Sequence, residues 1–180
     1  MTTQTVTVSI EVAADPQLAF EVFTSEIDTW WLCGPKHRFR PPWNGKLLFE
    51  PGPAGRLLEE YADGTTFVIG HVSQWSPGKR LVLSWRLPNF AAADVTEVDV
   101  LFDAIDGGTR VSVEHRGWEK LRRDHPARHG KEGRDYEYMK ASLWAESLSA
   151  LRRHIGGTSA TSNHIQPAGF EPAHCTRNER

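Results

Sequence analysis

At 180 residues, 39% of them hydrophobic and 24% charged, the chain is long enough for one domain with a sizeable core. A formal net charge of −2 excludes the basic field that nucleic-acid binding needs. No stretch is long and apolar enough to span a bilayer, and no basic segment followed by an apolar run opens the chain. The expected setting is therefore cytoplasmic, with no integral membrane association.

Residues 5–12 alternate, with Val6, Val8, Ile10 and Val12 on one side, and predict a half-buried strand. Asp15 followed by Pro16 is a helix start, the aspartate as N-cap and the proline in the first turn. Leu18, Ala19, Val22 and Phe23 continue it, and Ser25 is expected to cap a second short helix over 26–31. Residues 32–44 carry Pro35, Pro41 and Pro42 and predict a loop, followed by a short strand over 46–50.

The stretch 55–85 predicts three antiparallel strands over 56–61, 67–75 and 81–85, with Asp63-Gly64 at the first turn and Ser76-Pro77-Gly78 at the second. Strands over 95–104 and 110–115 follow, joined at Asp106-Gly107-Gly108. Residues 119–134 form a charged connection whose basic groups are offset by Glu119, Asp124 and Glu132, with no interleaved stacking platform. Residues 135–155 predict one long helix, with Tyr136, Met139, Leu143, Leu148, Leu151 and Ile155 as its apolar stripe and Trp144 beside them. Gly156-Gly157 is expected to stop it, leaving 156–180 as a disordered tail after a single domain over 1–155. The fold class that follows is α+β: a curved seven-stranded antiparallel sheet around a long C-terminal helix, with two short helices after strand 1.

The composition includes 7 Trp, 8 Phe and 3 Tyr, which suggests aromatic-lined space between sheet and helix. Nucleophile-elbow, zinc-protease, phosphate-loop and dinucleotide motifs are lacking, so no cofactor, no metal and no catalytic residue is assigned. His125 and His129 stand four apart, but Pro126 interrupts them and they predict a solvated loop. The two cysteines, Cys33 and Cys175, form no C-x-x-C, and Cys33 is expected to be a small buried or half-buried side chain.

The residues expected to line a cavity are Trp31, Phe39, Phe49, Glu59, Tyr61, Val68, Val72, Trp85, His115, Trp118 and Trp144. Glu59 depends on the register of the first hairpin. An even loop places Glu59 and Tyr61 on one face with Val68, Gly70 and Val72. An odd loop sets Leu57 opposite His71 and brings Phe67, Ile69 and Trp75 to that face.

Five runs carry a family resemblance: VTVSIEVAADPQLAFEVFTSEIDTWW, FEPGPAGRLLEEYADGT, GHVSQWSPGKRLVLSW, TEVDVLF and GTRVSVEHRGWEKL. Together they resemble the SRPBCC (START-like, helix-grip) superfamily, and within it the bacterial homologues of the C-terminal domain of the heat-shock ATPase activator. The resemblance implies a helix-grip fold and a ligand-sized cavity. Three functions are then open. The first is binding of a hydrophobic small molecule or lipid. The second is a co-chaperone or stress-response module with a protein partner, a homodimer included. The third is a cyclase- or hydrolase-type enzyme using Glu59, Tyr61 and His115, which requires at least two of them to converge in one cavity.

Overall fold

A computed structural model describes residues 5–161, with side chains through 157. β1 (Thr5–Val12) has the expected alternation, Val6 and Val12 buried while Thr7, Ser9 and Glu11 face out. The Oδ1 of Asp15 accepts from the backbone N–H groups of Gln17 and Leu18 at 2.9 and 3.0 Å and caps α1 (Pro16–Ser25). α2 (Ile27–Trp30) has no side-chain cap, because Ser25 is taken up as the last residue of α1.

β2 (Lys46–Phe49), β3 (Arg56–Glu60), β4 (Thr66–Ser76), β5 (Arg80–Trp85), β6 (Thr96–Ile105) and β7 (Gly108–Arg116) complete the sheet. Its order is β1-β7-β6-β5-β4-β3-β2, antiparallel throughout. α3 (Gly133–Thr161) packs along β1 and against α1 and α2. This is the expected curved sheet gripping a C-terminal helix.

Two details of α3 differ from the expectation. The helix runs through Gly156-Gly157 to Thr161; two glycines weaken a helix by about 1 kcal/mol each without forcing an end. Its buried stripe is Tyr136, Lys140, Trp144, Ser147, Leu148, Leu151 and Ile155, while Met139 and Leu143 are only half-buried. Most of the expected tail, residues 162–180, lies outside the described residues.

The first hairpin follows neither register along its whole length. Glu60 pairs with Thr66 and Glu59 with Phe67, so the loop is odd at the turn. The register then shifts, with Leu58 opposite Val68 but Leu57 opposite Gly70 and Arg56 opposite His71. A bulge leaves Ile69 as the extra residue and inverts the alternation beyond it. Ile69 and Val72 are both buried, and His71 is exposed. A second shift lies between Val72 and Gln74, and past it Trp75 returns to the inner side against Phe20 and Phe49. Gly70 permits the kink: a Cβ there would lie 1.7 Å from the carbonyl oxygen of Ser84 on β5.

Candidate functional site

The inner face holds two aromatic groups of different character. Near α1, Phe20, Phe23, Trp30, Trp75 and Phe102 interlock, with ring centroids 5.1–5.6 Å apart in successive pairs. Phe49 caps this group, 6.1 Å from Trp75. Toward the middle of α3, Trp31, Trp85 and Trp144 lie 5.5–6.1 Å apart and surround open space. The neighbours Trp30 and Trp31 are both buried, their ring centroids 5.3 Å apart, and join the two groups. The indole N–H of Trp30 donates to Val22 O at 3.2 Å, and that of Trp31 to His37 O at 2.8 Å.

The open space is a cavity of about 420 Å³. Five of the chain's 7 tryptophans line it: Trp31, Trp43, Trp85, Trp118 and Trp144. Phe39, Leu87 and Leu143 add to the apolar wall, and His115, Lys140 and Ser147 contribute polar atoms. α3 presents Lys140, Leu143, Trp144 and Ser147 from one face at the i, i+3, i+4, i+7 spacing. The loop 32–44 forms the opposite wall with Pro35, Lys36, His37, Arg38, Phe39 and Trp43.

That loop is held from three sides. Glu146 of α3 accepts from Lys36 Nζ at 2.6 Å and meets His37 Nε2 at 3.1 Å. Arg38, almost fully buried, donates to Asp28 Oδ1 at 3.0 Å and to Gly45 O at 2.8 Å. Glu59 Oε2 accepts the backbone N–H of Phe39 at 3.0 Å and the hydroxyl of Tyr61. Burial, and then the bond to Glu59, raise the Tyr61 phenol far above its ordinary range.

Six of the expected cavity residues therefore line it: Trp31, Phe39, Trp85, His115, Trp118 and Trp144. The other five do not. Phe49 and Val72 belong to the packed core, Phe49 against Trp75 and Val72 opposite Leu83. Val68 lines a second depression instead, with Arg40, Phe67, His71 and Arg86. Glu59 points inward but is sealed, with no accessible surface, beneath Gly45 and the loop. A Cβ on Gly45 would lie 2.5 Å from Glu59 Cγ. Tyr61 follows Glu59 out of the cavity. Arg86 donates to the carbonyls of Phe90 and Ala91, and Cys33 is exposed where a small buried or half-buried side chain was expected.

His115 is fully engaged. The Trp144 indole can only donate, so its N–H gives to His115 Nδ1 at 3.1 Å. Nε2 then carries the imidazole proton and gives it to Thr96 Oγ1 at 2.8 Å, and that hydroxyl donates to Trp85 O at 3.1 Å. Burial first, and the Lys140 charge second, hold the imidazole well below its usual range. It is a neutral hydrogen-bond link between sheet and helix. Glu59 and Tyr61 do not converge with it in the cavity, so the arrangement the enzymatic alternative required is not present among these three residues. Among the described residues no group of three or more His, Cys, Asp or Glu could hold a metal, and no helix is long and apolar enough to cross a membrane.

Residues 13–155 match the family described as activator of Hsp90 ATPase homolog 1-like protein. The chain belongs to that family, within the SRPBCC superfamily. Its fold is shared with protein MLL2253 of Mesorhizobium loti, at 19% identity and a TM-score of 0.61 over 86% of this chain and 98% of that one. It is shared likewise with the Aha1 dimer of Colwellia psychrerythraea, at 15% identity and a TM-score of 0.56 over 84% and 96%. Replicase protein 1a of Grapevine leafroll-associated virus 3 is 28% identical over 113 residues, 61% of this chain. The matched stretch spans 5% of that viral protein's length.

The residues expected from the sequence do not include Lys140, Ser147 or Trp43, nor the rest of the 32–44 wall apart from Phe39. The signal for Lys140 and Ser147 was present, since both fall at helical spacing from Tyr136 and Trp144. Its lysine and serine look like surface residues until the helix phase is known.

Proposed function

We propose that this chain binds an apolar or aromatic small molecule, a lipid acyl group included, in the cavity between the sheet and α3. The observation that carries the reading is the tryptophan-walled space of about 420 Å³, within the range of small-molecule sites. A two-ring ligand burying roughly 200 Å² of apolar surface would gain about 5 kcal/mol before association costs. The indole N–H groups of Trp31 and Trp144 are already bonded within the protein, so those rings offer their faces to a ligand.

A protein-interaction role finds less support. Among the described residues the exposed large hydrophobics are Leu18, Val95 and Tyr138, none of them a Trp or Phe, and single exposed apolar residues are ordinary. Titration with the neutral fluorophore N-phenyl-1-naphthylamine, followed by tryptophan quenching, tests the cavity. Saturable quenching is expected in the wild type and its loss in Ser147→Phe, which fills the space from α3. Leu143→Trp serves as the filler should Ser147→Phe lose its circular dichroism. Equal binding by a folded, filled variant would contradict the reading.

A further inference from the structure

Lys140 sits in the middle of the buried stripe of α3, only 7% exposed, and lines the cavity. Its Nζ lies 4.6 Å from the ring centroid of Trp118 and 5.5 Å from that of Tyr136. Cation–π contacts of this kind return about 2 kcal/mol when desolvated, whereas burying an ammonium costs several. No carboxylate or other hydrogen-bond acceptor meets this ammonium among the described residues.

The groups that face it do not compensate. From β7 comes His115, neutral and with both ring nitrogens engaged. From the turn at Pro126–Arg128 and the residue after it come Arg128, whose guanidinium stands 5.1 Å over the Tyr136 ring, and the cavity-lining His129. From the loop come Lys36, held by Glu146, His37, also on Glu146, and Arg38, held by Asp28. Among the residues lining the cavity there is no Asp or Glu. The space is thus apolar in its walls and cationic at Lys140.

We infer that the ligand is an anion, an apolar or aromatic carboxylate whose charged end pairs with the Lys140 ammonium while its rings lie among Trp31, Trp85 and Trp144. This rests on the cavity-binding reading and gives the ligand its chemical class. A carboxylate would supply the acceptor that the protein withholds, in a setting where charge-assisted hydrogen bonds are strong.

Calorimetric titration of the full chain with 1-naphthylacetate and its neutral isostere 1-naphthylacetamide separates the two readings. Near neutral pH the acetate is expected to bind about tenfold tighter. Lys140→Met is expected to bring the ratio to about one, and Lys140→Arg to restore part of it. Burial lowers the ammonium to about 8, so the preference should fade as pH rises through that value. Equal wild-type affinities would overturn the anion and leave the apolar cavity standing, while binding of neither compound would overturn both. A preference that survives Lys140→Met, or that stays flat across the alkaline range, would overturn the assignment to Lys140.

Discussion

Glu59 and Lys140 are both buried ionisable side chains on the inner side of one curved sheet, and they do opposite things. Around Glu59 the protein closes: a backbone N–H, a tyrosine hydroxyl and a glycine shaped to its side chain seal it from any cavity. Around Lys140 the protein stays open, offering ring faces and space but no acceptor. Burial of a charge therefore does not by itself mark a binding site. What distinguishes the two is access: the Glu59 carboxylate is bonded through Oε2 and walled in, its Oε1 without a partner, whereas Lys140 borders open space. Glu59 acts on the cavity at one remove, by fixing Phe39 and with it the loop 32–44. Lys140 acts on it directly.

Loss of the Glu59 carboxylate should have the largest effect on the fold. Glu59→Ala removes the acceptor for the Phe39 N–H and leaves a void, and should cost about 3–5 kcal/mol in urea unfolding. Glu59→Gln should cost less, since an amide oxygen can still accept. A Glu59→Ala variant as stable as the wild type would mean that Glu59 does not hold the loop.

A smaller effect tests the neutral link at His115. Its folded-state pKa lies below the ordinary value of 6.5, as does that of His37, whose burial outweighs the Glu146 charge. The unfolded chain then binds protons that the folded chain refuses. That stability is fully present well above 6.5 and is lost as pH falls from there toward the folded-state value, with a limiting slope of about 1.4 kcal/mol per pH unit for the fully buried His115 and a shallower one for His37. His115→Gln should flatten this acid limb by one histidine's share. An unchanged limb would show that His115 titrates in the folded protein.

Much of the architecture was legible because it rests on local patterns. Alternation in 5–12, the Asp15-Pro16 start and the Asp-Gly turns each specify an element without reference to the rest of the chain. The cavity was legible in its tryptophans, since bulky aromatics at strand and helix positions facing one another leave space. What could not be read was phase. The bulge at Ile69 brings Val72 to the core, the second shift after Val72 brings Trp75 back to it, and a bulge has no alternation signature of its own. The same holds for α3, where Met139 and Leu143 looked like the buried stripe and Lys140 like surface. The wall formed by 32–44 depends on Glu59, Asp28 and Glu146, long-range partners that a proline-rich segment does not announce.

The most direct test compares thermal melting of the wild type and Lys140→Met, each with and without 1-naphthylacetate. Replacing an uncompensated buried charge by an apolar side chain of similar length should stabilise the ligand-free protein by about 1–4 kcal/mol. Each 1 kcal/mol corresponds to a rise of roughly 2–4 °C for a domain of this size. The same variant should gain less from the carboxylate than the wild type does. A variant that melts lower without ligand, or that is stabilised by the carboxylate as much as the wild type, would contradict the account of Lys140 as a charge kept for a ligand.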